Sequence, residues 1–276
     1  MKKRQKKFLK ICVMYLLMVI FAQTAGAEEP ENARPYSVGF GLGYSFTGYR
    51  KETDSQINRY LNAFTFLLDG SIDRGDFLHG FNIGFYMGEA QVAREYRELH
   101  DHYRYVSFRG NIEYALDYSL WQLFGDDSFP GYLGGAFRID GFYYYDTWVM
   151  DVPRLTALFS LSGHVTQKWI IDSKQSLSFA ATVPVLTYAV RPPFAGVDER
   201  VQKFSANNQL MKILGTGRFA SIHNYWAFFG SLKYNHQVIP LISVYGSLGF
   251  EIMYISIPRP RQDAALRLTA GMAFTF

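Results

Sequence analysis

The sequence predicts an all-β fold, a transmembrane antiparallel up-and-down β-barrel of about 10 strands, with 12 as the alternative count. Three observations predict it. Segments of roughly ten residues alternate large apolar side chains with small or polar ones, the period of a strand whose two faces meet different surroundings. The connections between these segments alternate in length, as in barrels whose turns are short at one end only. Beyond the first 27 residues, no run approaches the roughly 18 consecutive apolar residues of a membrane-crossing helix.

Composition agrees with this reading. The 276 residues are 49% hydrophobic, 17% aromatic and 19% charged, with one Cys, which excludes a disordered, collagenous or disulfide-stapled chain. Residues 1–27 carry Lys2, Lys3, Arg4, Lys6, Lys7 and Lys10, then the apolar run Ile11 to Phe21, then Ala25-Gly26-Ala27. A basic stretch, a short apolar core and a small-x-small site make a secretory signal peptide. An anchoring helix would need about 20 apolar residues. The mature chain, 28–276, is expected to start near Glu28. The formal charge of +4 less the six leader cations leaves −2, and no basic cluster for nucleic acid remains. Cys12 lies inside the leader without the small-residue context of a lipid-anchor signal. Disulfide, thiol and Cys-zinc chemistry are therefore absent from the exported part.

The first strand sets the rule. Tyr36, Val38, Phe40, Leu42, Tyr44 and Phe46 share one face, and Ser37, Gly39, Gly41, Gly43 and Ser45 share the other. A face of Gly and Ser is too small for a solvated exterior and fits a crowded barrel interior. The same alternation places further strands at about 60–72, 77–88, 104–118, 132–145, 154–170, 176–189, 221–235 and 241–254. It ends with 264–276, where Leu266, Leu268, Ala270, Met272, Phe274 and Phe276 alternate with Arg267, Thr269, Gly271, Ala273 and Thr275. Pro184 interrupts the seventh strand, and since a closed wall has no free edge to excuse the missing donor, a bulge is expected there. The connection 119–131 is long for a turn at the short end, which keeps 12 strands open.

Short connections fall at 73–76, 172–175 and 235–240. Long ones, the expected extracellular loops, fall at about 48–59, 89–103, 146–153, 190–220 and 255–263, placing both termini on the periplasmic side. Candidate aromatic girdles are Tyr143, Tyr145, Trp226 and Tyr254 at the outer interface and Tyr36, Trp169, Tyr234 and Phe276 at the inner one.

A Sec-type leader with an alternating last strand that ends Met272, Phe274, Phe276 resembles the Gram-negative outer-membrane β-barrel class. That resemblance implies the bacterial outer membrane as location, outer-membrane lipid as surroundings, and a barrel assembly machinery that reads those three C-terminal residues as its signal. It identifies no single family. Ten strands resembles the count in the omptin proteases, whereas the length resembles that of twelve-stranded barrels such as outer-membrane phospholipase A.

Alternation also sorts the charges. Arg109, Glu113 and Asp117 face inward in the fourth strand, and Arg138 and Asp140 in the fifth. A turn centred near residue 125 sets Arg109 beside Asp140 and Glu113 beside Arg138, opposite charges on neighbouring strands. In the last hairpin, a turn centred near Arg259 sets Glu251 opposite Arg267, Tyr245 opposite Ala273 and Phe250 opposite Leu268. These six, Arg109, Glu113, Arg138, Asp140, Glu251 and Arg267, form the expected lumen charge network. It either satisfies a narrow polar interior or lines a pore.

Catalytic groups are harder to find. His100-Asp101-His102 and the later Asp146 and Asp151 fall on the outer rim, where acid and imidazole can activate water. Their chain order is the reverse of that in the omptins. Ser221 and His223, two apart on the eighth strand, are expected to face inward together. The long 190–220 segment opens Arg191-Pro192-Pro193-Phe194 and carries scattered apolar residues that suit a short amphipathic helix. No residue is assigned as catalytic, and no metal or cofactor is implied. The leading expectation is a non-enzymatic, monomeric barrel, either a surface-exposed scaffold or a narrow small-solute pore. The alternative is a hydrolase of lipid or peptide with its site at the extracellular rim.

Overall fold

A computed structural model describes residues 36–51, 58–74, 76–92, 105–120, 130–146, 152–190, 215, 217–256 and 260–276. The leader, the centres of the long connections and 121–129 lie outside the described residues. In chain order the strands are β1 (Tyr36–Lys51), β2 (Asn58–Arg74), β3 (Phe77–Val92), β4 (Tyr105–Ser119), β5 (Gly131–Asp146), β6 (Val152–Ile170), β7 (Gln175–Val190), β8 (Arg218–Ser221), β9 (Tyr225–Ile239), β10 (Ile242–Ile255) and β11 (Arg261–Thr275).

All but β8 form a closed wall of ten antiparallel strands: β1 to β7 in order, then β9, β10 and β11, with β11 pairing back on β1. The closure is sealed where Tyr36 N donates to Phe276 O at 2.8 Å and Phe276 N donates to Tyr36 O at 3.0 Å. Several strands run further than alternation suggested. β1 reaches Lys51 and β3 reaches Val92, because ladder pairing continues where the side chains have stopped alternating in polarity.

The two faces are inverted relative to a water-soluble sheet. Leu42, Phe64, Phe85, Ile112, Leu133, Leu161, Ile252 and Leu268, one from each of eight strands, are about half exposed. Their chain neighbours Thr65, Tyr86, Asn111, Ser160, Glu251 and Thr269 are buried. An exterior this apolar far exceeds the patches of a few hundred Å² that soluble monomers present.

The Gly stripe of β1 has a direct steric reason. The ring of Tyr245 on β10 lies across it: a Cβ on Gly41 would sit 2.6 Å from the Tyr245 hydroxyl, and one on Gly271 2.7 Å from its ring. A large inward side chain is thus seated on its neighbours' missing ones, but the partner is Gly271 and not the Ala273 expected from the sequence.

That difference belongs to a register correction. In the β10–β11 ladder Glu251 faces Ala265, Arg267 faces Gly249 and Phe250 faces Leu266, two residues from the expected pairing. The turn is centred one residue earlier than Arg259, and a shift of two preserves which face each side chain takes. In β4–β5, Glu113 faces Arg138 as expected, whereas Arg109 faces Phe142 and lies diagonal to Asp140.

The seventh strand bulges where the proline demands it. Leu161 pairs with Leu186 and Ser162 with Pro184, so Val185 is the extra residue. Beyond the bulge the wall changes partner. The lower part of β7, Gln175 to Thr182, pairs with β9, and the upper part, Leu186 to Ala189, pairs with β8. The strand expected over 221–235 is β9, which begins at Tyr225; the short β8 lies before it in the expected 190–220 loop and ends at Ser221, where a turn closed by Asn224 N donating to Ser221 O at 2.9 Å follows.

Candidate functional site in the barrel interior

Inward-facing side chains fill the cylinder in three tiers. At the end of the long connections lies an apolar cluster: Phe142, Leu158, Ala189, Ala220, Tyr225, Ala227, Phe229, Met253 and Ile255. Phe142, Leu158, Tyr225, Met253 and Ile255 are essentially inaccessible to solvent. These residues come from β5 to β10, so the interior has a hydrophobic core of its own.

Beneath it the six charged residues of the expected network form one connected chain of alternating sign. Arg138 on β5 donates from Nη1 to Glu113 at 2.9 Å and from Nε and Nη2 to both oxygens of Asp140 at 2.7 and 2.9 Å. Arg109 stands 3.5 Å from Asp140 and 2.5 Å from Glu251. Arg267 donates to the other oxygen of Glu251 at 3.0 Å. Three guanidinium groups meet three carboxylates, so the tier is neutral as a unit. The fork of Arg138 on Asp140 is the bidentate geometry in which charge-assisted bonds are strongest.

The Arg109–Glu251 contact joins β4 to β10, five strands apart in either direction around the wall. It is therefore a strut across the cylinder's diameter. Aromatic faces cover the cations: Arg138 sits 3.8 Å from the Phe229 ring centre, and Arg109 4.5 Å from that of Phe142. The network continues sideways, since Arg267 donates to the Tyr86 hydroxyl, which donates to Asn111 Oδ1 at 2.9 Å, and Asn111 Nδ2 donates to Asn82 at 3.0 Å.

The third tier, toward the short turns, was not read from the sequence as a site. Asp69 on β2 pairs with Lys233 on β9 and accepts from the Tyr245 hydroxyl at 3.0 Å. Lys233 lies 3.9 Å from the Tyr245 ring centre. Asp117 on β4 meets Nδ1 of His164 on β6 at 2.7 Å. Between this tier and the ionic one is a cavity of ≈ 100 Å³ bordered by Thr65, Tyr86, Glu113, Arg138, His164 and Arg267, among others. Thr65 Oγ1 and Arg267 Nε are buried there without a protein partner; a polar space of that size holds several waters. The available signal was inward parity: Asp69 shares a face with Thr65, and His164 with Ser160 and Ser162.

Of the catalytic candidates, Asp146, Ser221 and His223 fall among the described residues. Ser221 ends β8 and His223 lies in the turn after it, both exposed, so strand parity does not apply to them as a pair. His100, His102 and Asp151 lie outside the described residues, as does the center of the 190–220 segment. Among the described residues, no group of His, Cys, Asp and Glu could hold a metal ion.

No protein-family model matches the chain, and no curated protein matches it in sequence. Among solved structures it is similar to the outer membrane protease OmpT from Escherichia coli, with 9% identity and a TM-score of 0.53 over 90% of this chain and 99% of that one. It also aligns with the transport unit of the autotransporter AIDA-I from Escherichia coli, at 8% identity and a TM-score of 0.43 over 91% of this chain and 93% of that one. An outer membrane channel from Pseudomonas putida F1 aligns at 9% identity and a TM-score of 0.38, over 91% and 100% of the two chains. At such identity the likeness to OmpT is one of fold, and the fold is the closed antiparallel barrel of bacterial outer-membrane proteins.

Proposed function

We propose that the protein is a monomeric integral barrel of the bacterial outer membrane, closed to solutes, that serves as a surface scaffold for its long connections. The observation that carries this reading is the Arg109–Glu251 strut within a neutral ionic tier, capped by an apolar cluster. A conducting pore needs a hydrated path along its whole length, and an apolar constriction closes such a path by dewetting. Here the ions of the middle tier are consumed by one another, and the outer tier combines the apolar cluster with a buried Arg261–Asp263 pair packed on Phe142.

In this reading residues 1–27 direct export and are removed. The exterior belt contacts outer-membrane lipid, the long connections face outward, and the short turns face the periplasm. The assembly machinery reads the last strand, where Met272 and Phe276 are exposed and Phe274 stacks on Phe40 at 6.3 Å.

Planar-bilayer recording of the purified barrel tests the proposal. Silence at low applied voltage is the expected record; stable, unitary current steps from the wild-type protein would overturn closure.

A further inference from the structure

Among the described residues the wall has one seam; its outer face is apolar, and its inner face is mostly so, with Thr182 and Thr187 the buried polar members. Along β7, Thr182 is the last residue laddered to β9 (opposite Phe229) and Leu186 is the first laddered to β8 (opposite Ser221). Among the described residues, Val183, Pro184 and Val185 have no ladder partner on that side. Facing them, Tyr225 to Phe228 of β9 pair with β10 but not with β7. The unpaired stretch of β9 is four residues, roughly 13 Å of strand. Nine residues separate Pro184 from the start of β7, which at a tilt of about 45° raises the seam roughly 20 Å above the periplasmic end. That lies in the outer half of an apolar band about 25 Å tall. Backbone without strand partners is disfavoured at membrane depth and is kept only where it is buried in protein or lines a cavity.

Outside the seam stand Val183, Val185, Leu186, Phe219 and Trp226, all exposed. Inside it stand Ala189, Ala220 and Ala227, the small members of the apolar cluster, with Tyr225. The Tyr225 hydroxyl is buried without a hydrogen-bond partner, so no polar bond pins that ring in place. Arg218, exposed at the start of β8 opposite Ala189, supplies a cation at the outer rim above the seam.

We propose that this seam is a lateral port through which one acyl chain of an anionic amphiphile enters the apolar tier from the outer leaflet, its headgroup remaining beside Arg218. The occupant must be apolar because the exterior, the gap and the inner cluster all are. A single chain is what a gap four residues long admits. Entry displaces the Tyr225 ring, whose hydroxyl then gains a polar partner at the headgroup. The ionic tier below stops the chain from travelling further, so the port loads the barrel without opening it to the periplasm. This inference rests on the outer-membrane reading and adds a ligand to the scaffold.

The probe is myristic acid carrying a terminal diazirine, irradiated with the barrel reconstituted in phosphatidylcholine vesicles, the adducts being mapped by mass spectrometry. Adducts on the inward residues Ala220, Tyr225 and Ala227 are expected. Ala227→Leu, which fills the space behind the seam, should reduce them about tenfold while leaving adducts on Phe219 and Trp226 unchanged. Adducts confined to outward residues, or inward adducts indifferent to Ala227→Leu, would overturn the port. A barrel that floats with the vesicles yet is labelled only outside loses the port and keeps the membrane reading. One that does not float loses both.

Discussion

Glu251→Ala is expected to destabilise the barrel by about 3–5 kcal/mol, the range for removing one partner of a buried ion pair. Glu251 is buried and receives both Arg109 and Arg267, one on each carboxylate oxygen. Its loss leaves two guanidinium groups with diminished compensation in an interior sealed by aromatic side chains. Arg109 retains only the longer 3.5 Å contact to Asp140. Urea unfolding from lipid vesicles, followed by tryptophan fluorescence, measures the change. A loss under about 1 kcal/mol, the value of a solvated surface pair, would mean that water reaches the tier and that it is not sealed.

The second large effect is on the opposite face. Ile112 lies at the middle of β4 and is about half exposed on the barrel's exterior. Ile112→Arg should destabilise the protein by about 2–4 kcal/mol, the range for a cation at the bilayer midplane. Its neighbour Asn111 is buried and hydrogen-bonded to Tyr86 and Asn82, so polarity is tolerated one residue away. The same unfolding assay, repeated in detergent micelles and in vesicles, compares the two surroundings. A soluble protein would accept Arg at an exposed position with little change.

Much of this arrangement was legible in the sequence because a strand has only two faces. Period two assigned Arg109, Glu113, Arg138, Asp140, Glu251 and Arg267 to one side and Ile112, Phe137 and Leu268 to the other, whatever the register. The register itself was less legible. It depends on the centre of each turn, and the misplacement near Arg259 moved Glu251 from Ala265 to Arg267 without changing its face. Pro184 announced its bulge because a missing donor in a closed wall leaves few alternatives. Nothing local announced β8, which is only four residues long and follows a stretch without alternation. The strut from Arg109 to Glu251 and the Asp69–Lys233 pair join residues far apart in sequence across the cylinder. Such contacts follow from closure of the barrel and have no local spacing to betray them.

The claim on which all else stands is that the apolar face of each strand meets lipid while the small or charged face meets an enclosed interior. Residues 28–276 contain no Cys, so single cysteines placed along β11 can be labelled one at a time with a membrane-soluble maleimide in vesicles. Leu268→Cys and Met272→Cys, at exposed positions, are predicted to react readily, while Thr269→Cys and Ala273→Cys, at buried ones, are predicted to be protected. Uniform reactivity along the strand, or protection of positions 268 and 272 with labelling at 269 and 273, would contradict the account.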